Sequence, residues 1–499
     1  MPILDWFNKK EALKTADKTP YKVLVENKEL SYGDQTQGNM LIKGDNLEAL
    51  KALLPYYKGR VKCIYIDPPY NTGSAFEHYD DNLEHSTWLS MMYPRLELLR
   101  ELLSENGVLF INLDEMEHAY CKVICDEIFG RSNYLGDLIW QKRKGGGNDS
   151  RFFAIDHDYI LVYTKNNDKK IHPHKWLVSQ SEEYRKRYKE IAEDGRRFYW
   201  DTIARDGLQN PIPVQIRCPD GFILRINSQQ SQATIEKGLK TGEIRLTKSK
   251  NGWTLHHRVY IPAGQVLRSV LNDVGTNKTA GDETIALFGK NNAFDYPKPE
   301  LLMQRILELA SKPGDIVLDS FLGSGTTAAV AQKMGRKYIG IEMGEHAITH
   351  CAPRLQQVTD GTDQGGISKA VNWTGGSGFT FYDLGKPIFD EEGNINHGIS
   401  FKDLAFHVWF SETKTPMQDY KYSPLLGVYK DTAYYLLYNG VLGDKRVNGG
   451  NVLTSKVLES LPPFDGPKVI YGESCRLSPE RLKKENIIFK QTPYEITAR

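Results

Sequence analysis

Short apolar runs alternate with amphipathic stretches in two blocks of this chain, residues 39–165 and 297–355, and a long segment without that rhythm separates them. In the first block MLIKG (40–44) precedes DNLEALKALLPYY (45–57), whose Leu47, Leu50 and Leu54 recur at helical spacing. VKCIYI (61–66) is a short apolar run with turn residues behind it, which reads as a buried strand. WLSMMYPRLELLRELLSENG (88–107) is amphipathic, and Gly107 suits the C-terminal cap of its helix. VLFINL (108–113) and DYILVYTK (158–165) read as further strands, with a helix ending near DEIFG (126–130) between them. In the second block helix, strand, helix and strand are expected over 298–312, 315–319, 325–335 and 337–342. Strands that alternate with helices predict an α/β fold built on a doubly wound, mostly parallel sheet. The two blocks are expected to form one discontinuous domain, 1–165 with 291–358, around an insert at 166–290. The Gly/Ser-rich stretch 359–378 reads as a linker, and the β-like runs of 379–499 as a C-terminal α+β domain.

Composition narrows the function. With 499 residues, 40% of them hydrophobic, the chain can bury more than one core. No run reaches the roughly 18 apolar residues of a membrane-spanning helix. The N-terminal MPILDWFNKKEALK lacks the apolar middle of a secretory signal. Six cysteines without C-x-x-C spacing favour buried thiols over zinc ligands, Cys121 and Cys125 included, and suit a reducing cytoplasm; no metal site is expected. A net charge of only +1 means that any polyanion must be met by local patches.

Two turns carry chemistry. LDSFLGSGTT (318–327) follows one predicted strand and opens a helix, so Gly323 and Gly325 let a ligand approach backbone N–H groups without a Cβ in the way. Glu342 ends the next strand, 23 residues beyond Asp319, the spacing at which an acid commonly takes ribose hydroxyls. No Lys precedes the threonines as in a P-loop, and position 328 is Ala, so the full dinucleotide fingerprint is absent. A tight turn with no ligand explains the glycines too.

The second turn is Asp67-Pro68-Pro69-Tyr70, at the end of VKCIYI. Two prolines fix φ and lack N–H groups, so the turn is rigid and rich in acceptors. The Asp67 carboxylate and the Pro68 carbonyl suit the two hydrogens of a nucleobase exocyclic amine, and Tyr70 offers a stacking face for a base extruded from its duplex. Accepting both hydrogens localises the nitrogen lone pair, which can then attack an electrophilic methyl group. The plain alternative is a rigid strand-ending turn with a solvent-facing acid.

DPPYNTGS, then FLGSGTT, in that order, resemble the β class of amino-group DNA methyltransferases. GDNLEAL, HSTWLSMMYPRLELL, NGVLFINLDE, HDYILVYTKN and YPKPELLMQRILELAS extend the likeness, and the C-terminal KVIYGESCRLSPERLKKENIIFKQTPYEI resembles the tail of Type III restriction-system modification subunits. The resemblance implies S-adenosylmethionine as cofactor and adenine N6 as target. It places Asp45, Lys298, Asp319, Phe321, Gly323, Gly325 and Glu342 about the cofactor, with Thr326 and Thr327 either beside it or merely capping a helix. Asp67, Pro68, Pro69 and Tyr70 become catalytic, with Asn71 against the base or the methionine end. It further implies double-stranded DNA as partner, a homodimer, a separate ATPase/nuclease restriction subunit, and a recognition role for the insert. Cytosine N4 as target, or a subunit needed mainly for targeting, are the alternatives. Candidate DNA contacts are Lys142, Arg143 and Lys144 in a glycine-rich loop, and Arg196 and Arg197 in GRRFYW. A solvated hinge and an ordinary charged face are the plain readings of those two clusters.

Overall fold

The computed structural model describes residues 3–71, 84–146, 151–171, 176–178, 180, 182–204, 207–443 and 450–496. The chain forms two compact units: Met1–His174 with Arg268–Arg499, and Lys175–Leu267.

The larger unit is organised by one ten-stranded sheet. Its strands, in chain order, are β1 (Lys22–Gly33), β2 (Met40–Lys43), β3 (Val61–Ile66), β4 (Leu103–Leu113), β5 (Tyr134–Gln141), β6 (His157–Thr164), β7 (Val270–Leu271), β8 (Ile316–Asp319), β9 (Lys337–Glu342) and β10 (Gly378–Pro387). In space they run β1-β10-β2-β9-β8-β3-β4-β6-β5-β7. Only β1 and β6 oppose the common direction, so the sheet is mixed and mostly parallel. The predicted buried strand β3 lies in the middle, with Cys63, Ile64, Tyr65 and Ile66 inaccessible to solvent. Apolar side chains on both faces are what a central parallel strand requires.

Helices follow from local signals. Asp45 caps Asn46–Tyr57 by accepting from the Leu47 N–H at 2.8 Å, and Leu50, Leu53 and Leu54 bury its inner face. Glu84 caps His85–Leu102 in the same way. That helix does not end at Gly107. Leu103 leaves it directly into β4, and Gly107 lies within the strand, where a Cβ would meet the Leu103 side chain at 2.6 Å. The glycine is needed for close approach, not for a left-handed cap.

Three further expectations change. The stretch 359–378 is no open tether, because Asp363 pairs with Lys333 at 2.7 Å and Ile367 is inaccessible. Residues 379–499 belong to the larger unit: β10 inserts between β1 and β2, and Phe401–Thr413 packs Leu404, Ala405 and Val408 into the main core. Of the expected insert, 268–290 also belongs there, supplying β7 and the helix Asn277–Phe288.

The smaller unit has its own core of Ile203, Val214, Ile216, Ile235, Ile244 and Leu255. It holds a four-stranded sheet, which includes Arg197–Thr202 and Gly252–Tyr260, together with a hairpin and the helix Gln232–Thr241. Among the described residues no helix is long and apolar enough to cross a membrane. Cys121 and Cys125 are buried on the helix His118–Cys125.

Candidate active site

Strands β3 and β8 are parallel neighbours, so the turns leaving their C-terminal ends emerge side by side. This edge is where ligands bind in open α/β sheets. A cavity of about 1170 Å³ opens there, walled by Asp67, Pro68, Pro69 and Tyr70 on one side and by Asp319, Phe321, Gly323 and Thr327 on the other. Lys142, Arg143 and Lys298 also line it.

The Asp-Pro-Pro-Tyr turn is held from several directions. The buried Trp88 indole donates to the Pro69 carbonyl at 2.7 Å. The Tyr70 hydroxyl donates to Asp67 Oδ1 at 2.6 Å, and the amide of Asn112, at the end of β4, donates to the Tyr70 oxygen. Asp158, from β6, pairs with Lys142 at 2.5 Å and faces the same hydroxyl at 3.4 Å. Burial and the two neighbouring acids, Asp158 and Asp67, push the Tyr70 phenol well above its usual range, so the ring stays neutral. Lys298 forms an ion pair with Asp67 and lies 5.3 Å from the centroid of the Tyr70 ring. Asn112 and Asp158 were not singled out from the sequence. The available signal was an amide between Ile111 and Leu113 in an otherwise apolar run, and an acid opening DYILVYTK.

The glycine turn is equally constrained. Gly323 and Gly325 have φ of +54° and +79°, where a Cβ is strained. Glu342 Oε2 accepts from the Gly323 N–H at 2.7 Å, and Oε1 from the Gly344 N–H at 3.1 Å. Thr327 donates to Asp319 Oδ2 at 2.6 Å, and the Phe321 N–H to Oδ1 at 3.0 Å. Burial nonetheless pushes the Asp319 carboxyl up to about 7, with Asp67 and Glu342 adding to the rise. Phe294 stands against Gly323, and its ring packs on His346 and His350 at 4.9 and 5.5 Å. A Cβ on Gly323 would come within 3.4 Å of that ring, so the turn keeps a narrow slot open beside a buried acid.

Some expected residues lie apart from the cavity lining. Asp45 caps its helix and pairs with Arg95 at 3.1 Å, while the adjacent Asn46 donates to the Ser320 carbonyl at 2.8 Å. Thr326 accepts from the buried Arg354 guanidinium at 2.7 Å, which favours its structural reading. Asn71, at φ +60°, donates to the inaccessible Glu117 at 2.7 Å. Lys144 donates to the Asn272 carbonyl at 2.8 Å. Arg196 and Arg197 belong to the smaller unit, where Arg196 stacks on Tyr260 at 3.9 Å.

Comparison with known proteins bears on this geometry. The chain is 33% identical over 403 residues to a probable type III restriction-modification enzyme, the HindVI Mod subunit of Haemophilus influenzae. That alignment covers 69% of this chain and 54% of the relative. It is 30% identical to the EcoP15I Mod subunit of Escherichia coli, covering 67% of this chain and 62% of the relative. It is 28% identical to the Type II methyltransferase M.KpnI of Klebsiella pneumoniae, covering 61% and 79%. The chain thus spans between about half and two thirds of the length of these Type III relatives. The family described as DNA methylase matches residues 61–352. That match runs from the first residue of β3 past the glycine turn, through both walls of the cavity: the chain belongs to the DNA methylase family.

Proposed function

We propose that the chain transfers a methyl group from S-adenosylmethionine to adenine N6 within a specific DNA sequence, as the modification component of a Type III restriction-modification system. One observation carries the reading: Asp67–Tyr70 and Asp319–Gly323 open onto the same cavity. Asp319, Phe321, Gly323 and Thr327 form the cradle for the cofactor, with Glu342, which accepts from the Gly323 N–H, toward its ribose. The open slot beside Gly323 and the buried acid fit such a ligand. Bound there, the cofactor supplies an electrophilic methyl on a sulfonium.

The chain supplies orientation. The Asp67 carboxylate and the Pro68 carbonyl accept the two amine hydrogens, which draws the nitrogen toward tetrahedral geometry and frees its lone pair. Tyr70 stacks on the extruded base, its hydroxyl fixed by Asp67 and Asn112. Lys298 occupies Asp67 in the absence of a base, and the incoming amine exchanges with it. The nitrogen's surplus proton leaves along the hydrogen bond to Asp67.

Unit Lys175–Leu267 is the proposed recognition domain, in a chain that works as a homodimer with a separate restriction subunit. Its Arg196–Tyr260 and Arg245–Trp200 pairs, at 3.9 and 4.2 Å, combine cations with flat faces, as nucleic-acid surfaces do. The test uses purified protein, duplex DNA and labelled cofactor. Asp67→Ala is expected to lower transfer at least about a hundredfold, the scale of losing a preorganised polar contact in the transition state. Undiminished transfer would remove Asp67 from its role. Digesting the product separates N6-methyladenine from N4-methylcytosine.

A further inference from the structure

The connection between β5 and β6 carries a feature that the cavity chemistry does not use. Phe152 and Phe153 are 82% and 76% exposed, side by side on the surface. Two adjacent exposed rings make a small apolar patch, which an interaction surface can use. Their place in the fold says where. The Arg143 N–H donates to the Asp156 carbonyl at 3.2 Å, closing the base of the loop, and Arg143 itself lines the cavity. Phe153 is three residues from Asp156, so chain length alone keeps it within about 11 Å of that rim.

The surroundings favour a polyanion. Between 142 and 156 the sequence carries four cations, Lys142, Arg143, Lys144 and Arg151, against two acids, Asp149 and Asp156, with Lys142 already paired to Asp158. The Arg151 guanidinium sits 5.1 Å from the Phe152 ring, the pairing of cation and aromatic face that serves stacked bases beside phosphates. Gly145 and Gly146, at φ of +78° and +90°, have no neighbour among the described residues within reach of an added Cβ.

We propose that Phe152 and Phe153 form a wedge that enters the DNA stack beside the extruded base and closes the gap it leaves. The inference rests on the chain being a DNA methyltransferase. Unpairing and unstacking a base costs free energy, and an apolar side chain inserted at the vacated step offsets that cost. The wedge therefore acts on the extrusion step and not on the methyl transfer at Asp67.

The test needs the recognition sequence, obtained by mapping modified bases in DNA treated with the wild-type protein and labelled cofactor. Two duplexes carrying it are then compared, one fully paired and one with an abasic position opposite the target base, where extrusion needs less help. On the paired duplex, Phe152→Ala/Phe153→Ala should slow single-turnover methylation about tenfold or more, the scale of one aromatic–base stack. On the abasic duplex it should match wild type within about twofold, and Phe152→Trp should retain the paired-duplex rate. Unchanged methylation of the paired duplex by the double variant overturns the wedge. So does a deficit that persists on the abasic duplex, which makes the rings a general contact or a folding element. A lower solution mass for the variant overturns it too, by assigning the rings to a second copy of the chain. If the wild-type protein transfers no methyl group at all, the methyltransferase reading itself fails and takes the wedge with it.

Discussion

Asp319 is a carboxylate buried for use. Its folded pKa stands near 7, above the ordinary 3.8, because desolvation outweighs the Thr327 and Phe321 hydrogen bonds. An acid with a raised folded pKa gives its full stability below the unfolded value and loses it as pH rises through the folded one. The window here is roughly pH 4 to 7. Asp319→Asn should therefore stabilise the protein little near pH 4 and by roughly 2–4 kcal/mol above pH 7, read from thermal or urea unfolding across that range. Cofactor affinity should move oppositely, falling in the variant and falling in wild type as pH drops from 8 to 6. A variant with unchanged stability at pH 8 would show that the acid is solvated. At this scale the sequence displayed the Asp-Pro-Pro-Tyr turn fully, since Asp67, Pro68, Pro69 and Tyr70 are contiguous. It did not display Lys298 on Asp67, an ion pair that spans 231 positions.

At the scale of elements, a buried charge network fastens the site. Lys333, inaccessible to solvent, bonds both Glu300 oxygens at 2.8 and 2.9 Å and Asp363 at 2.7 Å, and Arg354 also reaches Glu300 at 2.8 Å. Glu300 opens a helix two residues beyond Lys298, Lys333 closes the helix that the glycine turn starts, and Asp363 comes from the stretch read as a linker. Removing one partner of a buried ion pair strands the other. Lys333→Met is expected to cost on the order of 3–5 kcal/mol in urea denaturation; a loss under about 1 kcal/mol would show that the network adapts. The alternation of strands and helices was legible because buried strands are continuously apolar and helices carry their period locally. β1 was not, because a half-buried edge strand has a weak pattern, and neither was β10, because its place between β1 and β2 is set by partners more than 300 residues away. The Gly/Ser-rich composition of 359–378 likewise hid a charge that is buried only through its partners.

On the scale of the whole molecule, two compact units with separate cores let the proposed cofactor and recognition roles be tested apart. Replacing 175–267 by a short Gly/Ser linker is expected to leave a folded protein that binds S-adenosylmethionine and fails to methylate DNA at a specific sequence. Calorimetry with the cofactor and mapping of modified bases check the two halves. Retained sequence-specific methylation would place recognition outside Lys175–Leu267.

The sequence alone determined the α/β alternation, the rigid acceptor-rich turn and the glycine turn, because each is specified by residues within a few positions of one another. Tertiary structure decided that the two turns share one cavity, that Lys298 pairs with Asp67 and Asn112 with Tyr70, and that 359–499 completes the larger unit. Those are contacts between segments tens to hundreds of residues apart, and sheet order, which no local pattern encodes, is what brings them together.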